Sequence, residues 1–158
     1  MPSPINRFAG AYAYSASAST SSFYGAGTTA NPWLSTNIAT DTITFSGLAG
    51  NVRGIGGNFF SSSSSGLFTA GSVTLTATDG SSSSTQTIVG STVSSFLGFV
   101  SNGPITSMTL ASVQGAAPIW PTVDNLTIGV GVVPEPQTYA LMLAGLGMVG
   151  FLARRRRR

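Results

Sequence analysis

The stretch Val73-Thr74-Leu75-Thr76-Ala77-Thr78 puts every apolar side chain on one parity and every threonine on the other. Successive side chains of an extended strand point to opposite faces, so this segment buries one face and wets the other only as a β-strand. Asp79-Gly80 and the serines Ser81 to Ser84 supply turn chemistry, and Thr85-Gln86-Thr87-Ile88-Val89 is predicted to return as the hairpin partner. Thr42-Ile43-Thr44-Phe45-Ser46 alternates in the same way, with Ile43 and Phe45 sharing a face. Ser61 to Ser65 reads as a polar loop. Ser95-Phe96-Leu97-Gly98-Phe99-Val100 is apolar on both parities, the pattern of a strand covered on both faces.

Asn102-Gly103-Pro104 turns the chain into a further strand from Ile105 to Leu110. Val123 to Val130 reads as the last strand, with Leu126, Ile128 and Val130 on one face. No helical period occurs before residue 136, and no internal repeat is visible. Short strands with Gly, Pro and Asn turns predict an all-β fold, an antiparallel β-sandwich. In that sandwich Leu75, Phe96, Phe99, Leu126 and Ile128 are expected to be buried, and Thr74 and Thr76 exposed. Residues 1–40 form a Ser/Ala/aromatic segment read as part of the β domain, 41–131 the sandwich body, and 132–158 a distinct C-terminal segment.

Composition narrows the chemistry. Only 7% of the 158 residues are charged, which excludes a charge-driven disordered chain or a charged coiled coil. The chain has no Lys, no His and no Cys, so the usual zinc, haem and iron-sulfur ligand sets are missing, as are Ser-His and Cys-His nucleophile pairs. A non-enzymatic protein without a cofactor is expected. Five of the seven basic residues are the terminal run Arg154, Arg155, Arg156, Arg157 and Arg158. Elsewhere Arg7 and Arg53 face Asp41, Asp79, Asp124 and Glu135, so the body is slightly acidic and no nucleic-acid partner is expected.

The sharpest boundary lies near the C-terminus. Val133-Pro134-Glu135-Pro136 stiffens the backbone, and an uncharged apolar run follows from Tyr139 to Ala153, closing on the five arginines. At 1.5 Å per residue that run spans about 22 Å, short of a hydrocarbon core of roughly 30 Å unless the helix starts at Pro136 and the arginines snorkel. Leu141, Leu143, Leu146, Val149, Phe151 and Leu152 contribute roughly −2 to −4 kcal/mol to insertion in total, a marginal anchor in membrane lipid. The positive-inside rule keeps the arginines cytoplasmic, which places the body across the membrane.

This order of Pro-Glu-Pro, short Leu/Gly-rich stretch and terminal Arg cluster resembles the PEP-CTERM sorting signal of exported bacterial proteins. The resemblance covers about the last 26 residues. It implies recognition of Val133 to Pro136 by an exosortase-type membrane protease. It also implies an inner-membrane precursor, processing of the tail, and delivery of the body to the cell surface or extracellular matrix. The same tail follows unrelated bodies, including some ice-binding proteins. Bodies carried by such proteins are often jelly-roll-like, with strands resembling Phe96-Leu97-Gly98-Phe99 and Asp124-Asn125-Leu126. Because Met1 to Phe8 lacks the apolar run of a secretory signal peptide, an upstream segment is expected.

Candidate chemistry in the body is sparse. Asp41 and Asp124 are the carboxylates outside the sorting motif and the Asp79 turn, and they would have to serve any Asp-dependent hydrolase. Asp124 shares parity with Leu126 and Ile128, so it is expected on the core side, either accepting backbone N–H bonds or, with Asn125, serving as a Ca²⁺ ligand. Trp33 and Trp120, expected on loops, are read first as core packing in a sandwich with so few charges, with stacking on an exopolysaccharide as the alternative. The aligned threonines at 42, 44, 74, 76, 78, 85 and 87 resemble an ice-binding array, although threonine is also a good strand former. Gly54-Ile55-Gly56-Gly57 lacks the following helix and basic residue of a phosphate loop. The expected function is an exported surface or matrix protein, with a carbohydrate-binding module as the alternative.

Overall fold

In a computed structural model, residues 1–20, 22–131, 142–146 and 148 are described. Twelve strands follow one another: β1 (Ile5–Ala9), β2 (Tyr12–Ala18), β3 (Phe23–Gly27), β4 (Pro32–Thr36), β5 (Ile43–Ser46), β6 (Val52–Ser62), β7 (Phe68–Thr69), β8 (Gly71–Thr78), β9 (Ser83–Ser91), β10 (Phe96–Val100), β11 (Ser107–Val113) and β12 (Trp120–Val130). They form two antiparallel sheets, ordered β1-β2-β5-β11-β8-β9 and β10-β6-β12-β4-β3, with β7 paired to β6. From β4 onward successive strands cross between the sheets, apart from the short β7 and the β8–β9 hairpin. That winding is a jelly roll, extended by β1 and β2 on one sheet and by β3 on the other.

Period-two burial explains the core. Val73, Leu75 and Ala77 of β8 pack with Ile43 and Phe45 of β5 and Met108 and Leu110 of β11. Ile55, Phe59, Val123 and Phe99 of the second sheet close the core from the other side. Tyr14 of β2 lies 6.1 Å from the Phe45 ring, and burial pushes its phenol pKa up against the opposing pull of Arg7. On the outer face of the first sheet, register puts Thr85, Thr76, Thr109, Thr44 and Ser17 in one row across five strands. Thr74 pairs with Thr87 at 3.0 Å and Thr76 with Thr85 at 2.8 Å, so these hydroxyls bond to one another across strands. Thr74 and Thr76 are consequently half-covered by their neighbours instead of fully exposed.

Several expectations change. Ser61 and Ser62 continue β6 and are buried, so the polar loop begins only after them. Ser95 to Val100 is not covered on both faces: β10 is an edge strand, and Phe96 is 63% exposed while Phe99 is buried. Leu126 and Ile128 face the core but are half-buried near the end of β12. Trp33 and Trp120 lie in β4 and β12 and not on loops.

Residues 142–146 and 148 are helical, and Leu143 and Leu146 are exposed. No helix among the described residues is long and apolar enough to cross a membrane. The predicted transmembrane helix otherwise falls on Tyr139, Leu141, Val149, Phe151 and Leu152, which lie outside the described residues.

Candidate functional site

The outer face of the second sheet is built in ranks, each set by strand pairing. At one end Ser62 stands opposite Trp120, and the next rank reads Phe60, Thr122 and Ser35. A middle rank reads Phe96, Asn58 and Asp124. The far ranks are Gly98, Gly56 and Thr127, then Val100, Gly54 and Gly129. Large side chains thus give way to bare backbone along a single face.

At the first end the face is closed. Phe60 is fully buried, with Trp33 edge-on at 4.9 Å and 85° and Phe68 at 6.2 Å. The chain after β6 folds back over it: the Ser63 N–H donates to Leu67 O at 2.8 Å and the Gly27 N–H donates to Gly66 O at 2.8 Å. Beneath lies a hydroxyl cluster in which Thr122 Oγ1 is 2.8 Å from Ser62 Oγ and 3.2 Å from Ser35 Oγ, while Ser35 Oγ donates to Pro121 O at 3.0 Å. Burial of these three hydroxyls is tolerated because each finds a partner. Trp33 is therefore partly spent on packing, and Trp120 is half-buried at the start of β12.

Asp124 does not point to the core. A bulge between Asp124 and Thr127, with Asn125 at φ 51°, inserts one residue into β12. Parity breaks there, so Asp124 and Thr127 share the outer face while Leu126 packs inward. The Asp124 carboxylate accepts the Asn125 N–H at 2.8 Å and the Asn125 side-chain amide at 3.2 Å. Among the described residues no three His, Cys, Asp or Glu side chains gather as a metal site. Asp41 is elsewhere: buried before β5, it accepts hydroxyl bonds from Ser19 and Thr20. The fold gives the two carboxylates separate partners and does not bring them together in one described cavity.

Beyond the bulge the face is open. A groove of about 320 Å³ runs over Gly54, Gly56, Gly98 and Gly129, flanked by Phe96, Val100 and Thr127. A Cβ on Gly56 would lie 3.0 Å from Phe96 Cζ and one on Gly98 3.4 Å from Phe96 Cε1, so the ring rests over the bare backbone of both strands. Thr127 Oγ1 donates to Asn125 O at 3.2 Å, and the Asn58 amide donates to Val93 O at 3.3 Å. Sequence reading missed Phe96, Asn58 and Thr127 as surface groups. The available signal was glycine at alternate positions, 54 and 56, within a segment flanked by apolar residues.

In a separate cavity that shares Phe99 and Val100 with this groove, Asp79 holds the loop that follows β10. Its carboxylate accepts the Ser82 N–H at 2.8 Å, the Ser81 N–H at 3.0 Å and the Ser101 hydroxyl at 2.8 Å. Led by the Ser82 N–H, these bonds hold the carboxyl well below the usual carboxylate range.

Val133, Pro134, Glu135, Pro136 and Arg154 to Arg158 lie outside the described residues, so the tail is placed by comparison and not by geometry. No curated protein matches the chain. A solved structure of TmCBM61 in complex with beta-1,4-galactotriose is similar, with 15% identity and a TM-score of 0.47 over 75% of this chain and 88% of that one. That likeness is too distant to carry an argument about ligand. Residues 132–158 match the family model described as the PEP-CTERM protein-sorting motif, a signal recognised by exosortase, a membrane protein, and implying an exported surface protein. The chain thus carries a PEP-CTERM sorting motif at its C-terminus.

Proposed function

We propose that this chain is a non-enzymatic cell-surface or extracellular-matrix protein, delivered through its PEP-CTERM tail. The carrying observation is the family match at residues 132–158. A marginal apolar segment ahead of five arginines halts translocation with Pro134-Glu135-Pro136 just outside the bilayer, where a membrane protease meets it. A residue between prolines favours extended backbone, the form proteases bind as an added strand, which supports Glu135 as the recognised position. The lack of His and Cys supports a body without nucleophilic or metal chemistry. Expressed behind a leader peptide in a host with exosortase, the protein loses a C-terminal fragment and leaves the membrane fraction. Glu135→Ala stays full-length and membrane-bound. Equal release of both proteins sinks the sorting role.

For the body, carbohydrate binding is the reading favoured by a specific observation. The second sheet presents an open, nearly uncharged outer face with an exposed aromatic ring, the chemistry that suits the apolar face of a sugar. Retention of the purified protein by exopolysaccharide from a PEP-CTERM-bearing host tests this reading, and free passage through such a matrix defeats it.

A further inference from the structure

We infer that the glycine-floored groove across β10, β6 and β12 binds a neutral polysaccharide chain, with Phe96 as its stacking platform. This rests on the carbohydrate-binding reading of the body. Four observations converge on it.

Glycine is not demanded by packing at two of the floor positions. A Cβ on Gly54 or Gly129 meets nothing closer than 3.6 Å, which is ordinary contact, and neither residue has positive φ. A glycine inside a strand costs roughly 0.5 to 1 kcal/mol relative to alanine, so a bare floor at these positions opposes stability and keeps space open. Gly56 differs, since its Cβ would strike Gly98 Cα and Leu97 O at 2.9 Å.

Phe96 is the second observation. It is 63% exposed although its own strand carries Phe99 into the core, and its ring lies along the floor instead of standing over a neighbouring side chain. An aromatic ring held against backbone presents an apolar surface at little entropic cost.

Third, the polar groups beside the ring are those that sugars use. Asn58 and Asp124 stand in the same rank as Phe96, and Thr127 in the next. They offer an amide, a carboxylate acceptor and a hydroxyl, all on the outer face. Arg53, the nearest cation along β6, is turned to the Gly50 and Val52 carbonyls at 2.9 and 3.2 Å. With a carboxylate present and no cation aimed at the floor, an anionic chain is disfavoured and a neutral one fits.

Fourth, the floor spans three adjacent strands, two strand spacings or about 10 Å. Beside the Phe96 ring the groove continues over Gly54 and Gly129, with Val100 and Thr127 at its sides.

Calorimetric titration of the full-length chain in detergent micelles with hexaoses of β-1,4-linked glucose, mannose and galactose tests the site. Polygalacturonate serves as the charged comparator. At least one neutral hexaose is expected to bind, Phe96→Ala to weaken it roughly tenfold or more, and Phe96→Trp to restore it. Gly129→Ala is expected to weaken binding without lowering the melting temperature, since the added Cβ meets only ordinary contacts. Neutral binding that survives both Phe96→Ala and Gly129→Ala overturns the groove and leaves the carbohydrate reading standing. No binding to any neutral hexaose overturns both. Binding confined to polygalacturonate, or a dimer that Phe96→Ala dissociates, also overturns the assignment.

Discussion

Strand β6 runs the length of one sheet face, and its two ends behave as different materials. At Phe59-Phe60-Ser61-Ser62 every residue is buried, the outward Phe60 lies beneath Trp33 and Phe68, and a returning loop closes the surface. At Gly54-Ile55-Gly56 only Ile55 carries a side chain, and the outward face is a groove. Because β12 pairs with β6 at both ends, on either side of the bulge, the difference comes from side chains and from what folds over them. The closed end contributes stability, and the open end contributes surface. Unused surface in a strand is costly, which is why the groove, and not the better-packed tryptophans, is the place to look for a ligand.

Stability measurements can break this contrast. Phe60→Ala removes a fully buried ring from the closed end and should cost about 3 to 5 kcal/mol in urea unfolding, enough to unfold a marginal domain. Phe96→Ala, at the open end, should cost under about 1 kcal/mol, as exposed positions do. Similar losses at the two phenylalanines would mean that the ends are not distinct.

Glycine substitutions sharpen the picture within the open end. Gly56→Ala forces Cβ against Gly98 backbone at 2.9 Å and should destabilise by about 1 to 3 kcal/mol. Gly54→Ala and Gly129→Ala should fold as well as the parent. In the closed end, Thr122→Val removes the hydroxyl shared by Ser62 and Ser35 and should cost about 1 to 2 kcal/mol by the same unfolding assay.

The smallest effect is expected from acid. Asp79 ties the loop after β10 to the β8–β9 turn, and its folded pKa lies below its unfolded one. The unfolded state therefore binds more protons as pH falls, so this contribution is present above the ordinary carboxylate range and fades below it. The protection factors of the Ser82 and Ser101 amides, each taken against the intrinsic exchange rate at the same pH, should fall on acidification below that range. In Asp79→Asn they should already be low at neutral pH, and pH-independent protection in the parent would remove the tether.

Much of the first sheet was legible in the chain. Val73 to Thr78 alternates cleanly because one face meets the core and the other meets solvent, and its hairpin partner follows a turn whose Asp-Gly and serines announce it. The second sheet was less legible. Phe96-Leu97-Gly98-Phe99 is apolar on both parities, so alternation does not reveal which phenylalanine is inside. Its register on β6 decides that, since Phe99 stands opposite the core residue Ile55 and Phe96 opposite the outward Asn58. Asp124 was misplaced for a similar reason: parity counts across a strand hold only while the register holds, and the bulge at Asn125 shifts it by one residue.

By itself the sequence determined that strands would form, that a core would be built from alternating apolar residues, and that the tail carries an export address. Those are local properties, written in periodicity and in a contiguous motif. Tertiary structure alone decided that Gly54 would lie opposite Gly129 and Gly56 opposite Gly98, that Phe96 would rest on them, and that Trp33 would pack on Phe60. Such facts depend on which distant strands pair and in what register, and pairing is settled by the burial of the whole core and not by any one segment.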